Sequence, residues 1–273
     1  MPVLSLSSDI GHQDYLIGAI KGQLMSLDAT ININDITHYL PQTNYLQAAY
    51  ICNNAFKFYP AGTIHFIILN LFESKPIHWL LAKYHNQFIV CPDNGILTMI
   101  TGQKPTELVS ISLADKHNLL QITGVAAEKI VALFNGSSLT SIGNPIEQMV
   151  EKYPLRATIG QDWMEGQILF IDNFENVIVN ITRQEFEEQR KGRGFKILFS
   201  RNETIESISL NYSGENEGEK LACFNSAGYL EIAINRGNMA GLFGLQGFNE
   251  RIQTPGGNRQ NTWFYQTVRI FFA

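Results

Sequence analysis

Charge is scarce in this 273-residue chain: charged residues make up 16%, and Lys+Arg 20 against Asp+Glu 25 leave a formal charge of -5. Soluble domains ordinarily carry roughly 25% charged residues, so Asn, Gln, Ser, Thr and Tyr must cover much of the surface. A mildly acidic chain has no broad positive field for phosphate backbones, which argues against nucleic acid as a partner. Disorder is excluded because 45% of the residues are apolar, the reverse of a disordered composition. Cysteine is nearly absent: Cys52, Cys91 and Cys223 are far apart, each beside an apolar neighbour, which suits reduced core thiols in a cytoplasmic protein. The opening Met1-Pro2-Val3-Leu4-Ser5 shows no basic region leading into an apolar run. No segment approaches the roughly 18 uninterrupted apolar residues of a membrane span, so the expectation is a chain neither exported nor membrane-spanning. Phosphate-binding glycine loops, a serine elbow and His or Cys pairs at metal-ligand spacing are also missing, which removes the commonest enzymatic signatures and leaves no metal expected.

Arginine is missing from more than half of the chain. The first is Arg156, whereas all six histidines (12, 38, 65, 78, 85 and 117) precede it. At about 150 residues per domain, the length allows one large or two ordinary domains, and this asymmetry places a junction near residues 155–160. Before it, residues 3–7 read as an apolar strand, residues 15–27 as a helix, 31–36 as a strand, 44–58 as a helix and 63–69 as a strand. Alternation of this kind predicts an α/β domain over 1–155 with a mostly parallel sheet covered by helices. Residues 79–84 and 87–91 flank His85-Asn86 as a hairpin, 108–113 form another strand and 126–134 a helix. Beyond Gly160, short strands at 167–171, 177–182, 195–200, 221–224, 229–234 and 262–272 predict a smaller β-barrel or sandwich domain over 160–273.

Asp9 follows the first strand, where ligands bind in α/β sheets. A carboxylate there can accept both hydroxyls of a ribose, or it can cap a turn or the following helix. Asp93-Asn94-Gly95 carries the same ambiguity, with a turn favoured. In the second half, Asp172-Asn173-Phe174-Glu175-Asn176 sets a carboxylate, a ring and a carboxamide within five positions at a strand-to-strand turn. Such a set can grip an amine, stack a base and read its edge, although an ordinary hairpin bend looks similar. His12, His38 and His65 fall at or near strand ends, where a lone histidine is more often structural.

Taken in order, these pieces resemble one family. Ser8-Asp9-Ile10-Gly11-His12-Gln13-Asp14-Tyr15, Asp35-Ile36-Thr37-His38 with Pro41-Gln42, Tyr59-Pro60-Ala61-Gly62-Thr63-Ile64-His65 and Pro92-Asp93-Asn94-Gly95 lie in the first half. Residues 171–181 and Asn225-Ser226-Ala227-Gly228-Tyr229-Leu230-Glu231 follow in the second. The set is similar to the S-adenosylmethionine (SAM) hydroxide adenosyltransferases, which are adenosine-forming SAM hydrolases related to the SAM-dependent fluorinase and chlorinase. The resemblance implies that Asp9 holds the ribose hydroxyls and that Asp14 lies near the methionine end. It further implies that Asp172 binds the methionine ammonium, Phe174 packs on the base, Asn176 reads the adenine edge and Ser226 meets the methionine carboxylate. It implies no cofactor, with SAM as substrate or ligand, and a homotrimer whose adenosine site is shared between subunits.

The departures from the family pattern fall on the nucleophile. The resemblance leads one to expect an Asp-Pro-Gly loop after the third strand, an arginine soon after it and a histidine in a His-Gly-Arg-Asp block, together positioning water. Here Asn70 stands at the aspartate position, Gln121 at the histidine position, and no arginine precedes Arg156. Glu73, Lys75 or His117 are the candidates for a substitute group, with Glu73 the foremost. The expectation is a protein that binds SAM or adenosine and hydrolyses SAM weakly or not at all. An active divergent hydrolase and a nucleoside-responsive regulatory or structural oligomer are the alternatives.

Overall fold

The structure is a computed structural model that describes residues 1–73, 78–113, 115–200, 203–245 and 266–273. The chain divides into two compact units, Met1–Pro154 and Leu155–Ala273.

The first unit opens with β1 (Val3–Ser8), α1 (Leu16–Leu27), β2 (Asn32–Thr37), α2 (Tyr45–Phe56) and β3 (Ile64–Ile68). In β1, Leu4 and Leu6 are buried on one face and Ser5 and Ser7 on the other, as expected of a strand covered by helices on both sides. Helix α1 buries Ile17, Ile20 and Leu24, the three-to-four spacing of one helical face. Next come β4 (His78–Tyr84), β5 (Gln87–Pro92), α3 (Ile96–Thr101), β6 (Leu108–Ser112), α4 (Leu119–Phe134), α5 (Leu139–Ile142) and β7 (Asn144–Pro145).

The sheet runs β2-β1-β3-β5-β4-β6-β7. It is mixed, which corrects the expectation of a mostly parallel sheet. The pairs β1/β2, β1/β3 and β3/β5 are parallel, whereas β4/β5, β4/β6 and β6/β7 are antiparallel. The cause is the hairpin at His85-Asn86, where His85 takes a left-handed φ of 52°. A bend this tight lays β4 antiparallel beside β5, and β6 and β7 add to that reversed edge. One apolar layer joins Leu6, Ile20, Leu24, Ile122, Ala126 and Ile130, so α1 and α4 share a face. The other joins Ala48, Cys52, Phe56, Leu69, Ile96 and Ile100 from α2, α3 and the sheet. Helix α4 begins seven residues before the apolar periodicity suggested, because the Asn118 side chain accepts the Gln121 N–H at 2.9 Å and caps it.

The second unit contains β8 (Thr158–Ile159), β9 (Trp163–Ile171), β10 (Val177–Thr182), α6 (Arg183–Arg190), β11 (Phe195–Ser200), β12 (Glu203–Ile205), β13 (Lys220–Phe224), β14 (Tyr229–Ile234), α7 (Met239–Leu242) and β15 (Thr267–Phe272). These strands form an antiparallel sheet in the order β12-β11-β15-β9-β10-β14-β13, with β8 on β9. Its outer edges nearly close into a barrel, with the Ser209 N–H donating to the Ala222 carbonyl at 2.8 Å and Lys220 pairing Glu203 at 2.6 Å. Phe186 of α6 is buried and packs on Phe195 and Phe272. Helix α6 starts with a capping box between Thr182 and Glu185, two reciprocal hydrogen bonds that satisfy otherwise orphaned donors. All three cysteines are free and buried. Among the described residues no helix is long and apolar enough to cross a membrane.

Candidate functional site

In the first unit the site is built at the carboxyl ends of β1 and β3. Asp9 leaves β1 with its own N–H bonded to the Ile68 carbonyl at 3.1 Å, and its carboxylate accepts the Asn70 N–H at 2.9 Å. Burial pushes the Asp9 carboxyl upward, against the hydrogen bonds from Asn70 and Gln42. Helix α1 does not use Asp9 as a cap; the first-turn Leu16 N–H goes instead to Asp14 at 2.9 Å, and Asp14 is solvent-exposed.

Asn70 stands at the turn after β3 with φ 45°, a left-handed conformation that asparagine tolerates better than most residues. Its side-chain amide donates to Glu73 Oε2 at 3.1 Å and to the Tyr45 hydroxyl at 3.3 Å. Tyr45 in turn donates to Glu73 Oε2, and Lys152 Nζ donates to Glu73 Oε1 at 3.1 Å. Lys152 also lies 3.9 Å from the centre of the Tyr45 ring, a cation–π contact. Burial would raise the Glu73 carboxyl, but the bonds from Tyr45, Lys152 and Asn70, with the Lys152 charge, bring it below its ordinary value. Burial and the Glu73 carboxylate together push the Tyr45 hydroxyl upward. Neither Tyr45 nor Lys152 carries a local sequence signal for this role.

Gln121 lies elsewhere, in the first turn of α4, where its side chain accepts the His117 N–H at 3.1 Å. None of the hydrogen bonds found for Gln121 or His117 leads to Asn70 or Glu73, and Lys75 lies outside the described residues. The Asp93 carboxylate accepts the distant Val150 N–H at 2.8 Å and faces His78 Nε2 at 2.8 Å, while Asn94 makes the local bend by accepting the Ile96 N–H at 3.2 Å. His38 and His65 are buried and bonded to Ser8 and Ser5 through Nδ1, at 2.8 Å and 2.6 Å. Burial lowers both imidazoles, His65 to about 4 and His38 against the Asp35 carboxylate that faces its Nε2 at 3.2 Å. His12 is exposed and meets His38 edge-on at 4.4 Å.

In the second unit, Asp172 and Asn176 bracket the β9–β10 bend. Asp172 Oδ1 accepts the N–H groups of Phe174 and Asn176, both at 2.9 Å, and Oδ2 accepts the Asn176 side-chain amide at 3.0 Å. Glu175 takes φ 62° and Phe174 is 75% exposed. The hairpin geometry therefore orders the carboxylate and carboxamide against each other and leaves the ring in solvent. Ser226 is exposed at the β13–β14 bend, which the Asn225 side chain fixes by accepting the Ala227 and Tyr229 N–H groups at 3.0 and 3.1 Å. Nearby Glu231 is buried and receives the Tyr212 hydroxyl. Burial raises its carboxyl, and the Asp172 charge adds to that rise while the Tyr212 bond opposes it. Among the described residues no group of three or more His, Cys, Asp or Glu could hold a metal ion.

The chain matches the SAM hydroxide adenosyltransferase N-terminal domain over residues 4–143 and the corresponding C-terminal domain over residues 166–251. It belongs to the SAM hydroxide adenosyltransferase family. Among its relatives within and beside that family is an (R)-S-adenosyl-L-methionine hydrolase of Methanocaldococcus jannaschii, 21% identical over 257 residues, covering 92% of this chain and 95% of the relative. A fluorinase of Actinopolyspora mzabensis is 21% identical over 289 residues, covering 92% and 97%. A crystal structure of an uncharacterized conserved protein from Thermotoga maritima superposes with a TM-score of 0.78 at 19% identity, covering 98% of this chain and 99% of that one. The structure engages the side chains of Asn70 and Gln121, the two residues that the resemblance sets at the expected aspartate and histidine positions, in local hydrogen bonds.

Proposed function

We propose that this family member binds SAM or adenosine through Asp9, Asp14, Asp172, Phe174, Asn176 and Ser226, and hydrolyses SAM weakly or not at all. The observation that carries the reading is the state of Glu73. It is the one carboxylate on the altered loop that could replace the missing water-activating groups, and three donors already hold it. A carboxylate so engaged is a weaker base, because the bonds from Tyr45, Lys152 and Asn70 and the Lys152 charge lower its proton affinity. Displacement at the ribose C5′ carbon has an excellent leaving group in the sulfonium, so catalysis reduces to delivering a desolvated nucleophile in line. Water needs an acceptor for its proton, and losing general-base help alone costs about 100- to 10,000-fold. Asn70 and Gln121 accept hydrogen bonds but take no proton at neutral pH. On the ligand side, a half-buried Asp9 held by a backbone N–H is a fixed acceptor for ribose hydroxyls. The family resemblance supports a cyclic trimer of about 92 kDa, three times the 30.7 kDa chain, whose adenosine site is completed by a neighbouring subunit.

Calorimetry with SAM and adenosine tests the binding, and chromatography of adenosine and methionine over hours tests the chemistry. Micromolar or tighter association is expected, weakened in Asp9→Ala by roughly 1.5 to 3 kcal/mol, with adenosine release near the spontaneous background. Turnover well above background that disappears in Glu73→Gln would make the protein a divergent hydrolase. Absence of heat with both ligands would remove the binding reading.

A further inference from the structure

The donors around Glu73 come from three separate parts of the first unit. Tyr45 is the first residue of α2, Asn70 follows β3, and Lys152 lies beyond β7. Their hydroxyl, amide and ammonium groups converge on a single carboxylate.

Lys152 is partly exposed, but its backbone is fixed. Its N–H donates to Thr98 Oγ1 at 3.0 Å, and its carbonyl accepts from the same hydroxyl at 2.7 Å. Its side-chain stem runs over Gly95, where an added Cβ would stand 2.5 Å from Lys152 Cγ. Gly95 has φ 97°, so glycine answers both the backbone and the space required there. The Tyr45 ring shields one side of the ammonium. Asn70 is pinned by its own bond to Asp9 and by Asn94, whose amide donates to the Leu69 and Asn70 carbonyls at 2.8 and 3.4 Å. The donors are thus preorganised by contacts that do not involve Glu73, and preorganisation is what lets a small ligand bind without first ordering its site. The Glu73 side chain is 38% exposed, so solvent is at hand for its carboxylate when it rotates away.

We propose that Tyr45, Asn70 and Lys152 form a binding cradle for a small monocarboxylate anion, filled in this structure by the Glu73 side chain. The occupant shows the geometry that the cradle accepts: two carboxylate oxygens, one receiving Lys152 and the other receiving Tyr45 and Asn70. A tethered side chain competes at a high effective concentration, so an external carboxylate binds the intact protein weakly. Glu73 therefore acts as a built-in competitor, and its removal uncovers the intrinsic affinity of the cradle.

Saturation-transfer NMR with acetate as the probe, at neutral pH and constant ionic strength, tests this on the full chain. Glu73→Ala is expected to give saturable binding in the millimolar range, with the wild type about tenfold weaker or more. Glu73→Ala combined with Lys152→Met is expected to lose the response, and chloride at equal concentration to displace acetate poorly. No saturable signal from Glu73→Ala, or equal signals from the single and double variants, overturns the proposal. Equally effective displacement by chloride also overturns it, because the cradle would then recognise charge alone. Should the alanine variant not fold, Glu73→Ser serves with the same outcomes. No nucleoside enters this titration, so its failure and that of the Asp9 binding reading remain separate.

Discussion

Asn70 reaches Asp9 with its main-chain N–H at 2.9 Å and Glu73 with its side-chain amide at 3.1 Å. One residue therefore orients both carboxylates of the first unit's site, and it does so from a left-handed backbone at φ 45°. A β-branched side chain resists that conformation, at a cost of about 1 to 2 kcal/mol. Asn70→Val is expected to lose about that much stability in urea titrations and to weaken adenosine binding by misplacing the N–H from Asp9. Asn70→Gly keeps the backbone and is expected to bind adenosine as the wild type does, since only the side-chain bonds are gone. Equal binding by both variants would show that Asp9 does not depend on this N–H.

Acid sensitivity follows from the buried imidazoles. His65 lies between Ser5 and Gln87, stacks on Phe56 at 3.6 Å, and is lowered to about 4 by burial. An imidazole depressed in the folded state is protonated first in the unfolded chain, so the unfolded state binds more protons between about pH 4 and 6.5. Stability is then full above the unfolded value and falls as pH drops through that window, by roughly 3 kcal/mol at most from this residue. His38, lowered by burial despite Asp35, acts in the same direction. Urea titrations from pH 7 to 4 should show this loss, and His65→Gln should flatten the slope by as much as one proton. An unchanged slope would assign the acid loss to other groups.

Local signals made much of this legible. Strand-loop-helix order placed Asp9 past β1, and five consecutive positions contained the Asp172–Asn176 pairing that the hairpin displays. The β4–β5 hairpin is readable too, but the alternation of strands and helices hides its consequence for the sheet. A strand that turns straight back must lie antiparallel beside its predecessor, which makes the sheet mixed. The cradle is different in kind. Tyr45 and Glu73 are 28 positions apart, and Glu73 and Lys152 are 79 apart, so tertiary packing alone brings them together. Tyr45 reads in sequence as an ordinary helix residue and Lys152 as part of a polar connection. Gly95 offers a faint trace of the arrangement, but its need for space becomes visible only when Lys152 lies over it.

Asp172 separates turn-building from ligand-gripping. Its carboxylate accepts two backbone N–H groups and the Asn176 amide, so truncation to alanine removes acceptors from a tight bend as well as a negative charge. Asp172→Ala is expected to cost about 1 to 3 kcal/mol in stability and to weaken both SAM and adenosine, because Asn176 loses its anchor. Asp172→Asn keeps an oxygen for the two N–H groups, removes the charge and sets an NH2 donor where Oδ2 accepted the Asn176 amide. If the charge grips the methionine ammonium, this variant should lose roughly 1.5 to 3 kcal/mol of SAM binding, the worth of a charge-assisted hydrogen bond. Adenosine carries no ammonium, so it should lose only what the Asn176 anchor contributes, and its loss should be clearly smaller than that of SAM. Paired calorimetric titrations of the two ligands against each variant make the comparison. Equal losses for SAM and adenosine in Asp172→Asn would reduce Asp172 to a residue of the hairpin, with the ammonium bound elsewhere.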